Sequence, residues 1–195
     1  MNIGILSLQG NYEEHYKKIK DLDVNAFLVK KNKDLIKCDG LIIPGGESTT
    51  MSKMIDFLEL RKTIIELKDK INIMGTCAGM IMLSNTKKYS NLKTLSLMDF
   101  EVERNGWGRQ INSFNCKINL SFSGNEIDGI FIRAPKVIKY NQKKIKCLAK
   151  IKSEAILLTD GKHIATSFHP EYAEGHDLYN YFFSLIKKDL NEYSW

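Results

Sequence analysis

Ile71-Asn72-Ile73-Met74-Gly75-Thr76-Cys77-Ala78-Gly79-Met80 is the stretch that decides the fold. Its apolar first half ends directly in the pattern G-x-C-x-G, which is typical of a buried parallel strand that turns sharply into a helix. Glycine is needed on both sides because a Cβ there would obstruct the turn. The pattern predicts that Cys77 is exposed at the strand tip, where the positive end of the helix dipole favours a thiolate. We interpret Cys77 as a reactive nucleophile.

The alternative is that Cys77 only fills space, since free cysteines usually behave as small buried hydrophobic side chains. We give that interpretation to Cys38, Cys116 and Cys147, none of which has glycine two residues away on both sides. Packing alone does not require that spacing, and this difference singles out Cys77.

The N-terminal half predicts alternating strands and helices. Strands are expected at Ile3 to Leu8, Ala26 to Val29, Leu41 to Ile43 and Ile71 to Met74. Helices are expected around Tyr12 to Ile19, from Ser48 toward Lys70 and from Ala78 to Ser84. This order is typical of a mostly parallel sheet that is covered on both faces.

The C-terminal half predicts antiparallel strands. Apolar residues alternate with polar ones from Phe114 to Leu120, which is the period of a strand with one solvated face. Asp160-Gly161 predicts a hairpin turn toward a strand from His163 to Phe168. Shorter strands are expected at Gly129 to Ile132, Cys147 to Ile151 and Ala155 to Leu158, and a last helix around Leu178 to Ile186. The predicted fold is α/β, a three-layer open sheet that is mostly parallel with an antiparallel portion.

Composition predicts one domain over residues 1–195, long enough to bury a single core. The apolar runs are too short to span a bilayer and no signal peptide precedes the first strand, so we expect a cytoplasmic protein without membrane contact. The cysteines form no C-x-x-C pair and the histidines no ligand-spaced cluster, so we expect no metal site. The net charge of +6 is spread over separate lysine groups without interleaved aromatic residues, which argues against nucleic-acid binding.

A cysteine nucleophile needs a base that is oriented by a third group. Ser167-Phe168-His169-Pro170-Glu171 supplies both, because an apolar strand ends in a histidine and the carboxylate of Glu171 is close enough in sequence to fold back on the imidazole. The other histidines, His15, His163 and His176, lack both an elbow-like context and a neighbouring orienting acid. We therefore predict His169 as the base and Glu171 as the orienting acid.

Pro44-Gly45-Gly46-Glu47-Ser48-Thr49 follows another predicted strand, at the edge where open α/β sheets gather their sites. Backbone N–H groups beside glycine can approach an oxyanion closely, so Gly46 together with Ala78 is a candidate oxyanion hole. A plain turn with a helix cap is the alternative for this segment alone. A phosphate cradle is disfavoured, since neither glycine-rich phosphate-binding pattern is present.

These motifs together resemble the class I (triad) glutamine amidotransferases, and more narrowly the family of glutaminase subunits of pyridoxal 5′-phosphate synthase. The resemblance covers nearly the whole chain and implies a flavodoxin-like fold. The segments that carry it, besides the two around Cys77 and His169, are Leu8-Gln9-Gly10, Pro44 to Thr50, Val102 to Asn105, Gly108 to Gln110 and Phe131 to Pro135. Trp107 and Tyr172 depart from the family pattern, which affects the expected pocket rim and partner surface but no catalytic role.

The resemblance implies that L-glutamine is hydrolysed to L-glutamate and ammonia by a triad of Cys77, His169 and Glu171, without a cofactor. It also implies a glutamine pocket lined by Gly46, Glu47, Ser48, Arg104, Ile132 and Arg133. The α-carboxylate of glutamine needs a cation, and arginine reads a planar carboxylate well, so either Arg104 or Arg133 fits that role.

The implied partner is a (β/α)₈-barrel synthase subunit that uses the ammonia to make pyridoxal 5′-phosphate within a large hetero-oligomeric ring. Gln9 and Gly10 follow the first strand and are expected to face that partner. Three other readings remain open: a triad glutaminase of another synthase such as imidazole glycerol phosphate synthase, a noncatalytic regulatory module on the same fold, and a cysteine peptidase or deglycase. The last is disfavoured because its base would not normally be followed by Pro-Glu.

Overall fold

A computed structural model describes residues 1–107 and 113–192 of the chain. The predicted family segment Gly108 to Gln110 therefore lies outside the described residues. The strands are β1 (Asn2–Leu6), β2 (Asn25–Val29), β3 (Gly40–Ile43), β4 (Asn72–Thr76), β5 (Phe100–Glu103), β6 (Ser113–Asn119), β7 (Glu126–Ile132), β8 (Lys136–Tyr140), β9 (Lys146–Ile151), β10 (Glu154–Thr159) and β11 (Ile164–Thr166). The helices are α1 (Tyr12–Ile19), α2 (Asn32–Leu35), α3 (Ser48–Phe57), α4 (Leu60–Leu67), α5 (Ala78–Leu83) and α6 (Asp177–Glu192), and a 3-10 turn covers Pro170–Tyr172.

Seven strands form the central sheet in the order β2-β1-β3-β4-β11-β10-β9. The first five of these are parallel to one another, whereas β10 and β9 are antiparallel to their neighbours. The predicted fold class, a mostly parallel sheet with an antiparallel portion, is confirmed. The hairpin turn at Asp160-Gly161 is confirmed too, because it joins β10 to β11.

Layers of helices cover both faces of the sheet. One core cluster contains residues of α2, α3, α4 and α5, and a second contains residues of α1 and α6. Every residue of β3 and of β4 is buried, as expected for strands that are covered on both sides. This explains why their sequences read as continuous apolar runs rather than alternating ones.

Two antiparallel ribbons, β5 with β8 and β6 with β7, extend the molecule beyond the central sheet. In β6 the polar residues are exposed while Phe114 and Cys116 are half-buried and Ile118 is fully buried, which confirms the predicted solvated face. Cys38 is buried as expected, but Cys116 and Cys147 are only half-buried. Cys116 lies on β6 and Cys147 on β9, and both of these strands keep some residues exposed.

The long helix predicted from Ser48 toward Lys70 is wrong. It is two helices, α3 and α4, separated at Leu58 and Glu59, where Glu59 adopts a left-handed φ of 56°. The apolar pattern continued through the break because both helices bury a stripe against the same face of the sheet. The short helix α2 and the ribbon strands β5 and β8 were not predicted from the sequence.

Candidate active site

The ends of four neighbouring parallel strands bring the predicted residues together. Asn11 follows β1, Gly46 follows β3, Cys77 follows β4 and His169 follows β11. These strands lie side by side in the order β1-β3-β4-β11, so their carboxyl ends meet at one edge of the sheet. Ligand sites of open α/β sheets lie at this edge.

The turn around Cys77 has the geometry that the G-x-C-x-G pattern predicts. Cys77 adopts φ 50° and ψ −102°, a conformation that side-chain-bearing residues rarely take. A Cβ on Gly75 would lie 2.5 Å from the carbonyl oxygen of Gly79, and a Cβ on Gly79 would overlap the carbonyl oxygen of Ile43. The two glycines are therefore required by close backbone approach, and the nucleophile elbow is confirmed.

Cys77 is not exposed, contrary to the prediction. Its relative exposure is 6%, and it lies in a cavity of about 390 Å³. Its Sγ lies 3.8 Å from the carbonyl oxygen of Ile132, at the end of β7. The sequence pattern gave no sign of this covering, because β7 is distant in the chain.

The same cavity contains every residue predicted for the triad base, the oxyanion hole and the glutamine pocket. These are Gly46, Glu47, Ser48, Ala78, Arg104, Ile132, Arg133 and His169. Three lining residues were not predicted, namely Asn11, Ile81 and Asn105, whereas Tyr172, which the sequence relates to the pocket rim, does line the cavity. Trp107 packs against Phe114 and Phe131 and does not line the cavity. Of the two residues that depart from the family pattern, only Tyr172 therefore lies at the cavity.

His169 and Glu171 form a buried pair. The Nδ1 atom of His169 lies 2.7 Å from Oε1 of Glu171, because the 3-10 turn after Pro170 folds the carboxylate back on the imidazole. The predicted proximity of the two groups is confirmed. The Nε2 atom of His169 is buried and has no hydrogen-bond partner within residues 1–107 and 113–192. It is thus available to a substrate or to the sulfur of Cys77.

The electrostatics of this pair favour an imidazolium. Burial lowers the pKa of His169, but interactions with Cys77 and Glu171 outweigh it and raise this pKa to about 10. Burial likewise raises the pKa of Glu171, and the facing histidines, His15 and His169, more than compensate, so its pKa is lowered overall. A charged acid next to a protonated base is the arrangement that delivers a proton to a leaving group.

Two residues that touch Glu171 were not identified from the sequence. Asn11 donates its Nδ2–H to Oε1 of Glu171 at 3.3 Å and lies 3.3 Å from Nδ1 of His169. The statement that His15 lacks a neighbouring acid is wrong, since its Nε2 lies 3.3 Å from Oε2 of Glu171. Helix α1 and the 3-10 turn pack together although they are far apart in sequence, so no local pattern pointed to either contact.

Gln9 holds the Gly46–Glu47 peptide in place. Its Oε1 accepts the backbone N–H of Glu47 at 3.1 Å, and its Nε2 donates to the backbone carbonyl of Glu47 at 3.3 Å. Gly46 has φ 151°, and a Cβ there would lie 2.6 to 2.9 Å from the Gln9 amide. Gly10 is exposed beside Gly45. The two residues predicted to face a partner thus contact the loop that contains the candidate oxyanion donor.

The rim of the cavity carries both charge signs. The carboxylate of Glu47 accepts the backbone N–H groups of Thr49 and Thr50 at the start of α3. Although partial burial opposes it, these hydrogen bonds lower the pKa of Glu47 to about 2. Arg104 donates to Glu47 and to Oγ1 of Thr49, both at 3.1 Å, and its guanidinium lies over the ring of Tyr89.

Arg133 lines the same cavity and is exposed. Its backbone has a left-handed φ of 45°. Within the part of the chain that the structure describes, no group of three or more histidine, cysteine or acidic side chains is arranged to hold a metal ion. None of the described helices is both long and apolar enough to cross a membrane.

Comparisons with known proteins agree with this geometry. A model of the SNO glutamine amidotransferase family matches residues 5–188. Proteins named pyridoxal 5′-phosphate synthase subunit PdxT from Thermosipho africanus and Desulforamulus reducens are 37% and 41% identical, each over 96% of this chain and 100% of its own length. A crystal structure described as a glutamine amidotransferase matches with a TM-score of 0.90 at 34% identity, over 95% of this chain and 98% of the other.

Proposed function

The chain belongs to the SNO glutamine amidotransferase family, and we propose that it is the glutaminase subunit of a pyridoxal 5′-phosphate synthase, folded as one domain. The observation that carries this proposal is a strained elbow cysteine, Cys77, in one cavity with His169, whose imidazole is paired with buried Glu171. A cysteine held beside an oriented imidazole is suited to acyl transfer from an amide. The names of the full-length relatives support the choice of synthase.

In the proposed mechanism the thiolate of Cys77 attacks the side-chain amide carbon of L-glutamine. The amide oxygen takes up the electron pair and accepts hydrogen bonds from the backbone N–H groups of Gly46 and Ala78. The C–N bond then breaks as the imidazolium of His169 gives its proton to the departing ammonia, which leaves a γ-glutamyl thioester. A water molecule that His169 deprotonates attacks the thioester, and glutamate leaves as the thiolate is restored.

Glu171 keeps His169 in one tautomer, because its Oε1 accepts the Nδ1–H at 2.7 Å. The free nitrogen, Nε2, is then the atom that exchanges protons with substrate and water. The pocket residues around it, including Ser48 and the backbone of Ile132, hold the glutamine side chain in reach of Cys77. Glu47 and Arg104 supply the anion and the cation that the α-ammonium and α-carboxylate of glutamine need.

We infer that a (β/α)₈-barrel synthase subunit receives the ammonia within a ring assembly, because ammonia is useful only if an acceptor is close. The contacts of Gln9 support a role for docking. Gln9 holds both polar atoms of the Glu47 backbone, so a partner that displaces its side chain would free the Gly46–Glu47 peptide to turn. All four cysteines are free thiols, which fits a cytoplasmic location.

Reconstitution with the barrel subunit tests the proposed function. Glutamate release and pyridoxal 5′-phosphate formation are measured together, with glutamine as the only nitrogen source. We expect both products from the wild-type chain and neither from Cys77→Ala. Added ammonia should restore pyridoxal 5′-phosphate formation in Cys77→Ala but not glutamate release. Glutamate release by Cys77→Ala at the wild-type rate would end the account. Glutamate release with no formation of pyridoxal 5′-phosphate would indicate that the partner is a different synthase.

The docking role has its own test. Glutaminase turnover is compared with and without the barrel subunit, for the wild-type chain and for Gln9→Ala. We expect the partner to raise wild-type turnover, and Gln9→Ala to change the ratio of bound to free rates. Equal rates with and without the partner would remove the activation step but leave the glutaminase assignment intact.

A further inference from the structure

His15 is a fully buried histidine that the mechanism above does not use. It lies on α1 and has polar neighbours on three other elements. Its Nδ1 is 2.8 Å from the hydroxyl of Tyr179 on α6, and its Nε2 is 3.1 Å from Oγ1 of Thr76 at the end of β4. The same Nε2 lies 3.3 Å from Oε2 of Glu171.

The second observation concerns the Oε2 atom of Glu171. It is buried and has no hydrogen-bond partner within residues 1–107 and 113–192. A buried carboxylate oxygen without a donor is costly, and Nε2 of His15, at 3.3 Å, is a nitrogen that can donate to it.

The neighbours of His15 decide its tautomer. If Nε2 carried no proton, its lone pair would face the Glu171 carboxylate at 3.3 Å, and the two acceptors would repel. With the proton on Nε2, the hydroxyl of Tyr179 donates to Nδ1 and the imidazole N–H donates to Oγ1 of Thr76, with Oε2 of Glu171 at 3.3 Å from the same nitrogen. Burial lowers the pKa of His15, although the charge of Glu171 opposes this, and burial raises the pKa of Tyr179. The neutral form of each group is therefore favoured.

We propose that His15 is a positioning residue of the glutaminase, which donates Nε2–H to Oε2 of Glu171 and so keeps that carboxylate ionised and directed at His169. The hydrogen bonds then run from Tyr179 through His15 and Glu171 to His169, and join α6 and α1 to the nucleophile. This inference rests on the proposed function, because it assigns His15 to the same triad.

Two substitutions of His15 distinguish the loss of the hydrogen-bond donor from a disturbance of the packing. Gln places an amide N–H near the position of Nε2, whereas Asn reaches only the position of Nδ1 and so keeps the Tyr179 contact but loses Glu171. Losing a hydrogen bond to a charged group corresponds to about a ten- to hundredfold loss in rate, so we expect that fall in kcat for His15→Asn with KM nearly unchanged. We expect His15→Gln to recover most of the rate.

The pH profile distinguishes positioning from general damage. The titratable groups that face His15 are Glu171, His169 and Tyr179. Without the donor the Glu171 anion is less stabilised, its pKa rises, and it becomes protonated at higher pH. The acid limb of kcat/KM is therefore expected to move up by about one pH unit in His15→Asn but not in His15→Gln.

His163 offers a matched control, since it is also buried and its Nδ1 accepts the backbone N–H of Ile73 on β4, away from the cavity. His163→Asn is expected to lower stability without moving the acid limb. An unmoved acid limb in His15→Asn, no recovery in His15→Gln, or an equal shift in His163→Asn would each overturn the proposal. If His15→Asn does not fold, Tyr179→Phe replaces it, with a raised acid limb expected and an unmoved one contradicting the proposal.

A second readout separates this inference from the proposed function. The rate at which iodoacetamide alkylates Cys77 is followed against pH by peptide mass spectrometry, which needs no turnover of glutamine. The acid limb of alkylation is expected to shift in His15→Asn in the same direction. If the wild-type chain fails to hydrolyse glutamine while this shift is present, the proposed function fails and the positioning role of His15 stands.

Discussion

At the scale of single residues, the pairing of Arg104 with Glu47 bears on how the proposed substrate would be held. The guanidinium of Arg104 is fixed by Thr49 and by the ring of Tyr89, whereas Arg133 is exposed at the same cavity. A group that is already held in place loses less entropy when it binds a carboxylate. The structure thus favours Arg104 between the two arginines that the sequence left open.

Arg104→Gln is expected to raise KM for glutamine by about ten- to hundredfold, because a hydrogen bond between charged groups is removed from both ground and transition states. Arg133→Gln serves as the matched control and should raise KM much less. Steady-state glutaminase kinetics of the complex with the synthase subunit check both values. A larger effect of Arg133→Gln would assign the carboxylate to Arg133 instead.

At the scale of elements, the break between α3 and α4 stores backbone strain. Glu59 has a left-handed φ of 56°, where a Cβ is disfavoured and glycine is not. Glu59→Gly is therefore expected to raise the free energy of unfolding by about 0.5 to 1 kcal/mol. Urea denaturation measures the change.

Glu66→Gly is the control for that prediction, because it makes the same chemical change inside α4. Glycine within a helix costs about 1 kcal/mol, so the free energy of unfolding should fall. The two variants must move stability in opposite directions. A loss of stability in Glu59→Gly would show that the left-handed turn is not strained.

Elements with a local signal were predictable from sequence. The elbow at Cys77 needs close backbone contacts that only Gly75 and Gly79 permit, and the hairpin needs Asp160-Gly161. The helix break at Glu59 was not predictable, because apolar residues continue at helical spacing on both sides. Strands β5 and β8 are four and five residues long, so the alternation of Phe100 and Val102 with two glutamates is at the lower limit of what predicts a strand.

At the scale of the whole molecule, the parallel sheet explains why the site could be predicted only in part. Cys77, His169 and Gly46 each follow a strand within a recognisable motif, and the parallel strand order brings those motifs to one edge. Asn11 and His15 reach Glu171 only because α1 packs on the 3-10 turn. Neither residue belongs to a recognisable motif, so their contacts with Glu171 are seen only in the three-dimensional structure.

The covering of Cys77 also belongs to this scale. The end of β7 covers the sulfur, so Cys77 lies inside a cavity rather than at an open strand tip. A cavity of about 390 Å³ suits a small substrate such as an amino acid and disfavours an extended polypeptide. This geometry argues for a glutaminase over a cysteine peptidase on a related sheet.

Trapping the covalent intermediate tests the central claim most directly. The chain in complex with its synthase subunit is mixed with L-glutamine, quenched in acid within one turnover and digested for mass spectrometry. The account predicts a γ-glutamyl group on the peptide that contains Cys77, and none on the peptides that contain Cys38, Cys116 or Cys147. Glutamate release without any γ-glutamyl group on Cys77 would contradict it.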